Sequence, residues 1–188
     1  MKSPDGLFFA PGIRFRDLDL DDSRALAHAL AVRADSWFFT PAEAIADQSA
    51  FASGIILVCF IDAAANFMGV EFSEWLHSAI PETRSVDPRH TKRTIAESFY
   101  DDVRNGLVHH ARLNRGAEFS LDLESAIALV DSVLVVNPRE LLPAIQRQWA
   151  GFLRSLEIEP DLHAKVKNHV GRVFRVDFEA DRHWQSDR

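Results

Sequence analysis

Ser98-Phe-Tyr-Asp-Asp-Val-Arg-Asn-Gly-Leu-Val-His-His-Ala-Arg-Leu-Asn-Arg-Gly116 is the stretch on which the reading of this chain turns. It reads as one amphipathic helix bearing a dense polar set: Arg104, Asn105, His109, His110 and Arg112. On a wheel of about 100° per residue, Ile95, Phe99, Val103 and Leu107 step along one apolar stripe, with Leu113 at its edge. His110 falls inside that stripe and is expected in the core. His109 falls at its margin, beside Asn105 one turn earlier. Arg104 lies about 140° from His109. The two flank a common face that a long guanidinium can reach across. This placement assumes a regular helix through Gly106.

The segments before the stretch read as its packing material. Residues 1 to 20 mix apolar pairs with Pro and Gly and are expected as an extended arm. Asp21-Asp22-Ser23 can cap a helix running to about Phe38. Thr40-Pro41-Ala42-Glu43 combines a capping hydroxyl, a first-turn proline and an acid placed to reach back. The alanine-rich sequence that follows predicts one long helix to about Phe67. Gly54 to Ile61 alone would suit a buried strand, but its flanks favour a helix at the centre of a bundle. Asp62 interrupts it, as an exposed turn or as a polar anchor. Residues 69 to 86 read as a short helix and a loop. Asp87-Pro88 then restarts a helix, with a break near Thr94.

After Gly116 the period changes. Ala117 to Leu121 alternates and Asp131 to Val136 is rich in β-branched residues, so a small β-ribbon is expected near 117–136. Asn137-Pro138-Arg139-Glu140 opens the last long helix, whose stripe is Leu141, Ile145, Trp149, Phe152 and Leu156. Leu162 to Val173 is a weaker helix, and 179–188 is expected as a frayed tail. The fold class is therefore mainly all-α, as a single domain over 1–188.

The 188 residues carry a net charge of −7, which disfavours general nucleic-acid binding. From Arg84 to Arg115, however, seven basic residues face four acids, and three of the eight histidines lie there. A basic window on an acidic chain suits one anionic ligand site as well as it suits ordinary charge scatter. The single cysteine, Cys59, excludes an internal disulfide and reads as a small core hydrophobe. The start lacks a charged-then-apolar leader, and the run ending at Asp62 is short for a bilayer. A cytoplasmic protein without membrane contact is expected. No glycine-rich phosphate loop, no DNA-specific motif and no helical histidine pair at metal spacing is present, so neither cofactor nor metal is expected.

Arg104-Asn105-Gly106-Leu107-Val108-His109 resembles the motif of the HEPN superfamily, the higher eukaryotes and prokaryotes nucleotide-binding domain: arginine, a polar residue, then histidine after a short spacer on a late helix of an all-α bundle. Phe99-Tyr100 before it and Leu113-Asn114-Arg115-Gly116 after it look like uncharacterised bacterial members. The specific likeness covers about 20 residues, and a looser one runs from Ala25 to Leu156. The resemblance implies a HEPN-like helical bundle and metal-independent RNA cleavage at a homodimer interface, in defence or stress. Carried over, His109 is general acid or base, Arg104 holds the scissile phosphate, and Asn105 orients His109 or donates to the phosphate. Arg112 and Tyr100 are further RNA or phosphate contacts. The tyrosine that one subgroup places two positions after its histidine is Ala111 here, so a role tied to it is unsupported. Two other readings stand beside this one. One is a non-catalytic HEPN-like module that binds nucleotide, RNA or protein. The other is a dimeric helical scaffold whose Arg104 and His109 are interface bonds; taken singly, Arg104 could pair with Asp101 on its own helix and His109 could bond to Asn105.

Overall fold

The structure is a computed structural model that describes residues 6–110, 112–114 and 116–183. It is mainly helical with a small β element. In chain order its elements are β1 (Phe8–Ala10), β2 (Ile13–Arg14), α1 (Ser23–Ala34), α2 (Thr40–Ala46), α3 (Ala50–Met68), α4 (Phe72–Ala79), α5 (Ile95–Phe99) and α6 (Asn105–His110). There follow β3 (Ala117–Phe119), β4 (Ile127–Val130), β5 (Val133–Val136), α7 (Pro138–Ile158), α8 (Pro160–Val173) and α9 (Arg175–His183). The chain groups into two compact units, Met1–Trp37 with Ala150–Arg188, and Phe38–Trp149.

In the first unit the stretch expected as an extended arm is packed. β1 and β2 pair antiparallel, and Phe9 is fully buried. Its ring meets those of Phe15 and Phe174 edge-on, at 5.6 and 5.5 Å. Aromatic rings spaced along this short segment bury enough area to hold it down. Asp181, also buried, accepts the backbone N–H groups of Leu7 at 2.9 Å and Arg16 at 3.0 Å. Arg33 lies over the Trp37 ring at 4.2 Å and the Phe9 ring at 5.0 Å, and burial lowers its pKa to about 10. Asp22 caps α1 through the N–H groups of Arg24 and Ala25, as its position implies. The part of the expected frayed tail up to His183 is helical, and 184–188 lie outside the described residues.

The second unit is built on α3. Leu57, Val58, Phe60, Ile61, Ala64 and Ala65 are all buried. The Phe60 ring meets Phe39 at 4.5 Å and Trp149 at 5.2 Å. By length and hydropathy alone α3 would also pass for a membrane span, but its buried face is that of a core helix. The single helix expected from Thr40 to Phe67 is broken at 47–49. There Ser49 turns extended and accepts the Ala52 N–H, starting a new helix by its own cap. Gly69, at φ 65°, closes α3 in the left-handed conformation.

The ribbon expected near 117–136 is a three-stranded sheet in the order β3-β5-β4. β3 runs parallel to β5, and β4 pairs with β5 antiparallel. Asp131 and Ser132 are the two-residue turn between β4 and β5 rather than strand, at φ 49° and 66°. Both central residues at positive φ suit the right-handed twist of a tight hairpin. Asn137 does start α7, accepting the Arg139 N–H, and Leu141, Ile145, Trp149, Phe152 and Leu156 are all buried.

The segment 85–94 is a loop where Asp87-Pro88 was expected to restart a helix. The Asp87 carboxylate is spent within the loop. It accepts the Arg89 backbone N–H at 2.9 Å and the Arg89 guanidinium at 2.7 to 3.1 Å. Arg89 also reaches Asp102 at 3.1 Å and the Gly116 carbonyl at 2.8 Å. One guanidinium thus ties the loop to both ends of the 98–116 stretch. The helix starts instead at Thr94, which forms a full capping box with Glu97.

Burial of Asp87 opposes its ionisation, and the hydrogen bonds from Arg89 overcome this and hold its pKa at about 2. A carboxyl depressed in the folded state stabilises above its ordinary pKa near 4 and loses that contribution as pH falls toward the folded value. Urea unfolding between pH 5 and pH 2 is expected to show about 2 kcal/mol of stability that depends on Asp87. Asp87→Asn should lower stability at pH 7 and flatten that part of the profile.

Candidate functional site

The 98–116 stretch is not one regular helix. α5 passes into a π turn, Tyr100–Arg104, in which the Asn105 N–H donates to the Tyr100 carbonyl five residues back. Asn114 supplies the donors that this wider turn invites. Its backbone N–H bonds the Asp102 carbonyl at 2.8 Å, and its side-chain amide bonds the Asp101 carbonyl at 2.8 Å. α6 then ends at His110, and the chain doubles back. Gly106 permits this reversal, because a Cβ there would lie 2.6 Å from the Arg112 carbonyl oxygen and 2.9 Å from the Asn114 nitrogen.

This geometry corrects the wheel. An extra residue in the turn shifts everything after it by about 100°. Ala96, Phe99, Val103 and Gly106 are buried, and Leu107 is only half-buried. His110, expected in the core, is exposed, as is His109. Their ring centroids lie 6.4 Å apart. Arg112 lies beyond the helix and is exposed.

Arg104 is the best-held of the expected residues. Its Nε and Nη2 donate to the two carboxylate oxygens of Asp62 on α3, at 3.2 and 3.1 Å. Its Nη1 donates to the Asn105 side-chain oxygen at 3.1 Å. The guanidinium also lies over the Tyr100 ring, 5.3 Å from its centroid. The hydrogen bonds to Asp62 raise the Arg104 pKa above its ordinary value. The partner weighed from the sequence, Asp101, is engaged elsewhere. It pairs with Arg93 at 2.7 Å and accepts the Asn105 amide at 3.3 Å. Asp62 is not a buried anchor: at 34 % exposure it ties Arg104 to α3 from a partly exposed position.

The structure therefore brings Arg104, Asn105 and Tyr100 together. His109 and Arg112 lie further along the chain, with no hydrogen bond, ion pair or ring contact joining either to Arg104 among the described residues. Asp62, Asp101 and Arg93 complete the cluster; the sequence offered Asp101 as a partner of Arg104 but gave neither Arg93 nor the Arg104–Asp62 pair. A guanidinium carries five N–H groups, of which three are used here. Two make no bond among the described residues, on a side chain that is 21 % exposed. Cys59, expected in the core, is exposed one turn before Asp62, and partial desolvation by its neighbours, with the Asp62 charge, raises its pKa. Among the described residues no three His, Cys, Asp or Glu gather as a metal-ligand set.

Compared with models of protein families, with curated proteins and with solved structures, the chain matches none.

The Gly106 contacts carry a direct expectation. Gly106→Ala should cost about 1–3 kcal/mol in urea unfolding, because the reversal at Arg112 must move. Gly151→Ala, whose Cβ would meet nothing closer than an Arg154 side-chain nitrogen at 3.9 Å, should be neutral or stabilising by up to about 1 kcal/mol.

Proposed function

We propose that this chain is a HEPN-like RNA-binding protein whose Arg104 and His109 cleave RNA without a metal ion, as a cytoplasmic homodimer. The observation that carries the reading is the state of Arg104. It is fixed by Asp62, Asn105 and the Tyr100 ring, yet two of its N–H groups make no bond among the described residues and its side chain keeps some exposure. His109 stands on the same helical segment with its ring in solvent. A fixed guanidinium meets a phosphate without first ordering itself. An imidazole open to solvent is placed to take or give a proton at the ribose.

In this reading His109 takes the proton from a ribose 2′-OH. The freed oxygen attacks the adjoining phosphorus. The bond to the 5′ oxygen breaks, and that oxygen leaves with a proton, giving a 2′,3′-cyclic phosphate and a new 5′-OH. Arg104 holds the non-bridging oxygens as their charge grows. The second copy supplies the partner histidine, as the family resemblance implies. Asn105 keeps Arg104 aimed, through the bond to its Nη1.

The Arg104–Asp62 pair favours a second reading. It already neutralises the guanidinium, which suits a module that binds RNA or a protein without cleaving it.

The test is cleavage of labelled single-stranded RNAs in EDTA by the wild type, Arg104→Ala and His109→Ala. The catalytic reading expects activity in the wild type, lowered about 10²–10⁴-fold in His109→Ala and about 10²–10³-fold in Arg104→Ala. A wild type that leaves a broad RNA set intact, yet loses RNA binding in Arg104→Ala, supports the module. Neither cleavage nor binding leaves only a helical scaffold.

A further inference from the structure

A cavity of about 250 Å³ opens beside Tyr100, walled by Glu71, Phe72, Arg93, Glu97, Tyr100 and Asp101. Phe72 and Tyr100 form its aromatic side, with ring centroids 5.4 Å apart. Two of its three carboxylates are committed. Glu97 accepts the N–H and hydroxyl of Thr94, at 2.6 and 3.0 Å. Asp101 is shared between Arg93 and Asn105. Glu71 stands exposed at the start of α4 without capping it through its side chain; its carbonyl accepts the Trp75 N–H, and its carboxylate makes no hydrogen bond or ion pair among the described residues. It is the free acceptor of the cavity.

The cavity adjoins the Arg104 cluster. The Tyr100 ring that walls it also carries the Arg104 guanidinium. A chain of bonds runs from the cavity to α3 through Arg93, Asp101, Asn105, Arg104 and Asp62. A ligand bridging cavity and guanidinium would place one group in each.

Three carboxylates against one arginine make the cavity hostile to phosphate. They suit a flat ring that donates hydrogen bonds and packs on an aromatic wall, as unstacked RNA bases do. Among the bases, guanine presents two adjacent donors, N1–H and N2–H₂, which one carboxylate can accept side by side. We infer that this cavity is a guanine subsite adjoining Arg104, with Glu71 reading the N1–H and N2–H₂ groups and Tyr100 packing against the base. The inference rests on the RNA reading of Arg104 and His109, and it names the base that this site selects.

The test is equilibrium binding in EDTA to the full chain carrying His109→Ala, which keeps the RNA uncleaved. The probes are fluorescein-labelled UUGUU, UUAUU and the inosine form of the first, which lacks the N2 amine. UUGUU is expected to bind about tenfold more tightly than UUAUU, with inosine between them. Glu71→Gln should abolish the preference, so that UUGUU, its inosine form and UUAUU bind alike. Arg104→Ala should weaken all three by a common factor and keep their order.

Equal binding of UUGUU and UUAUU, or equal losses in Glu71→Gln, overturns the guanine subsite. If Arg104→Ala still weakens every probe in that case, the phosphate reading survives it. If Arg104→Ala changes nothing while a Glu71-dependent guanine preference persists, the subsite stands and the role given to Arg104 falls. Glu71-dependent binding of a labelled oligo-arginine peptide, with no RNA bound, makes the cavity a protein-docking site and overturns the base reading.

Discussion

The hydrogen bond from the Asn105 N–H to the Tyr100 carbonyl makes one turn of the helix a residue longer than its neighbours. Most of the candidate site depends on that extra residue. With the turn, both histidines stand in solvent and Arg104 meets Asp62. A regular helix would carry His110 into the core. The turn is supported from outside by Asn114, whose two donors reach the Asp101 and Asp102 carbonyls. Asn114 reaches them because the chain reverses over a bare Gly106. Arg89 then clasps both ends of the segment, through Asp102 and the Gly116 carbonyl. π turns recur at functional sites because they reaim side chains without unfolding the helix around them.

The Arg104–Asp62 pair has two consequences that pull in opposite directions. It crosslinks the motif segment to the core helix α3 by a two-pronged bond, the geometry at which a guanidinium is strongest. It also places a carboxylate beside the group proposed to hold phosphate. An incoming anion must either share the guanidinium, through its two unused N–H groups, or displace Asp62. Sharing keeps Arg104 oriented and costs only local repulsion at a partly solvated edge. That is why the fixed arginine, rather than the basic character of the window, carries the functional reading.

Local chemistry made much of this fold legible. Asp22 caps α1 and Asn137 starts α7, each through bonds within three residues. The stripe of α7 was readable because that helix keeps one phase throughout its length. What escaped was non-local. Asp87-Pro88 has the form of a helix start, but its carboxylate serves Arg89, whose other partners lie 13 and 27 positions away. Arg104 and Asp62 are 42 positions apart, and no spacing rule connects them. The packing of residues 6–20 was not legible, because the rings that bury Phe9 include Phe174, from the other end of the chain. Of the expected residues Arg104, Asn105 and Tyr100 lie together, and His110 was placed in the core in error, since a wheel has no means of seeing a π turn.

The central claim is that Arg104 and His109 meet the same RNA phosphate. It is tested most directly by the His109 ring proton resonances during titration with an uncleavable 2′-O-methyl RNA in EDTA, assigned with His109→Gln. The account predicts a saturable shift at His109 in the wild type that Arg104→Ala abolishes, with no comparable shift at His28. Absence of a shift at saturating RNA, or an undiminished shift in Arg104→Ala, would contradict it.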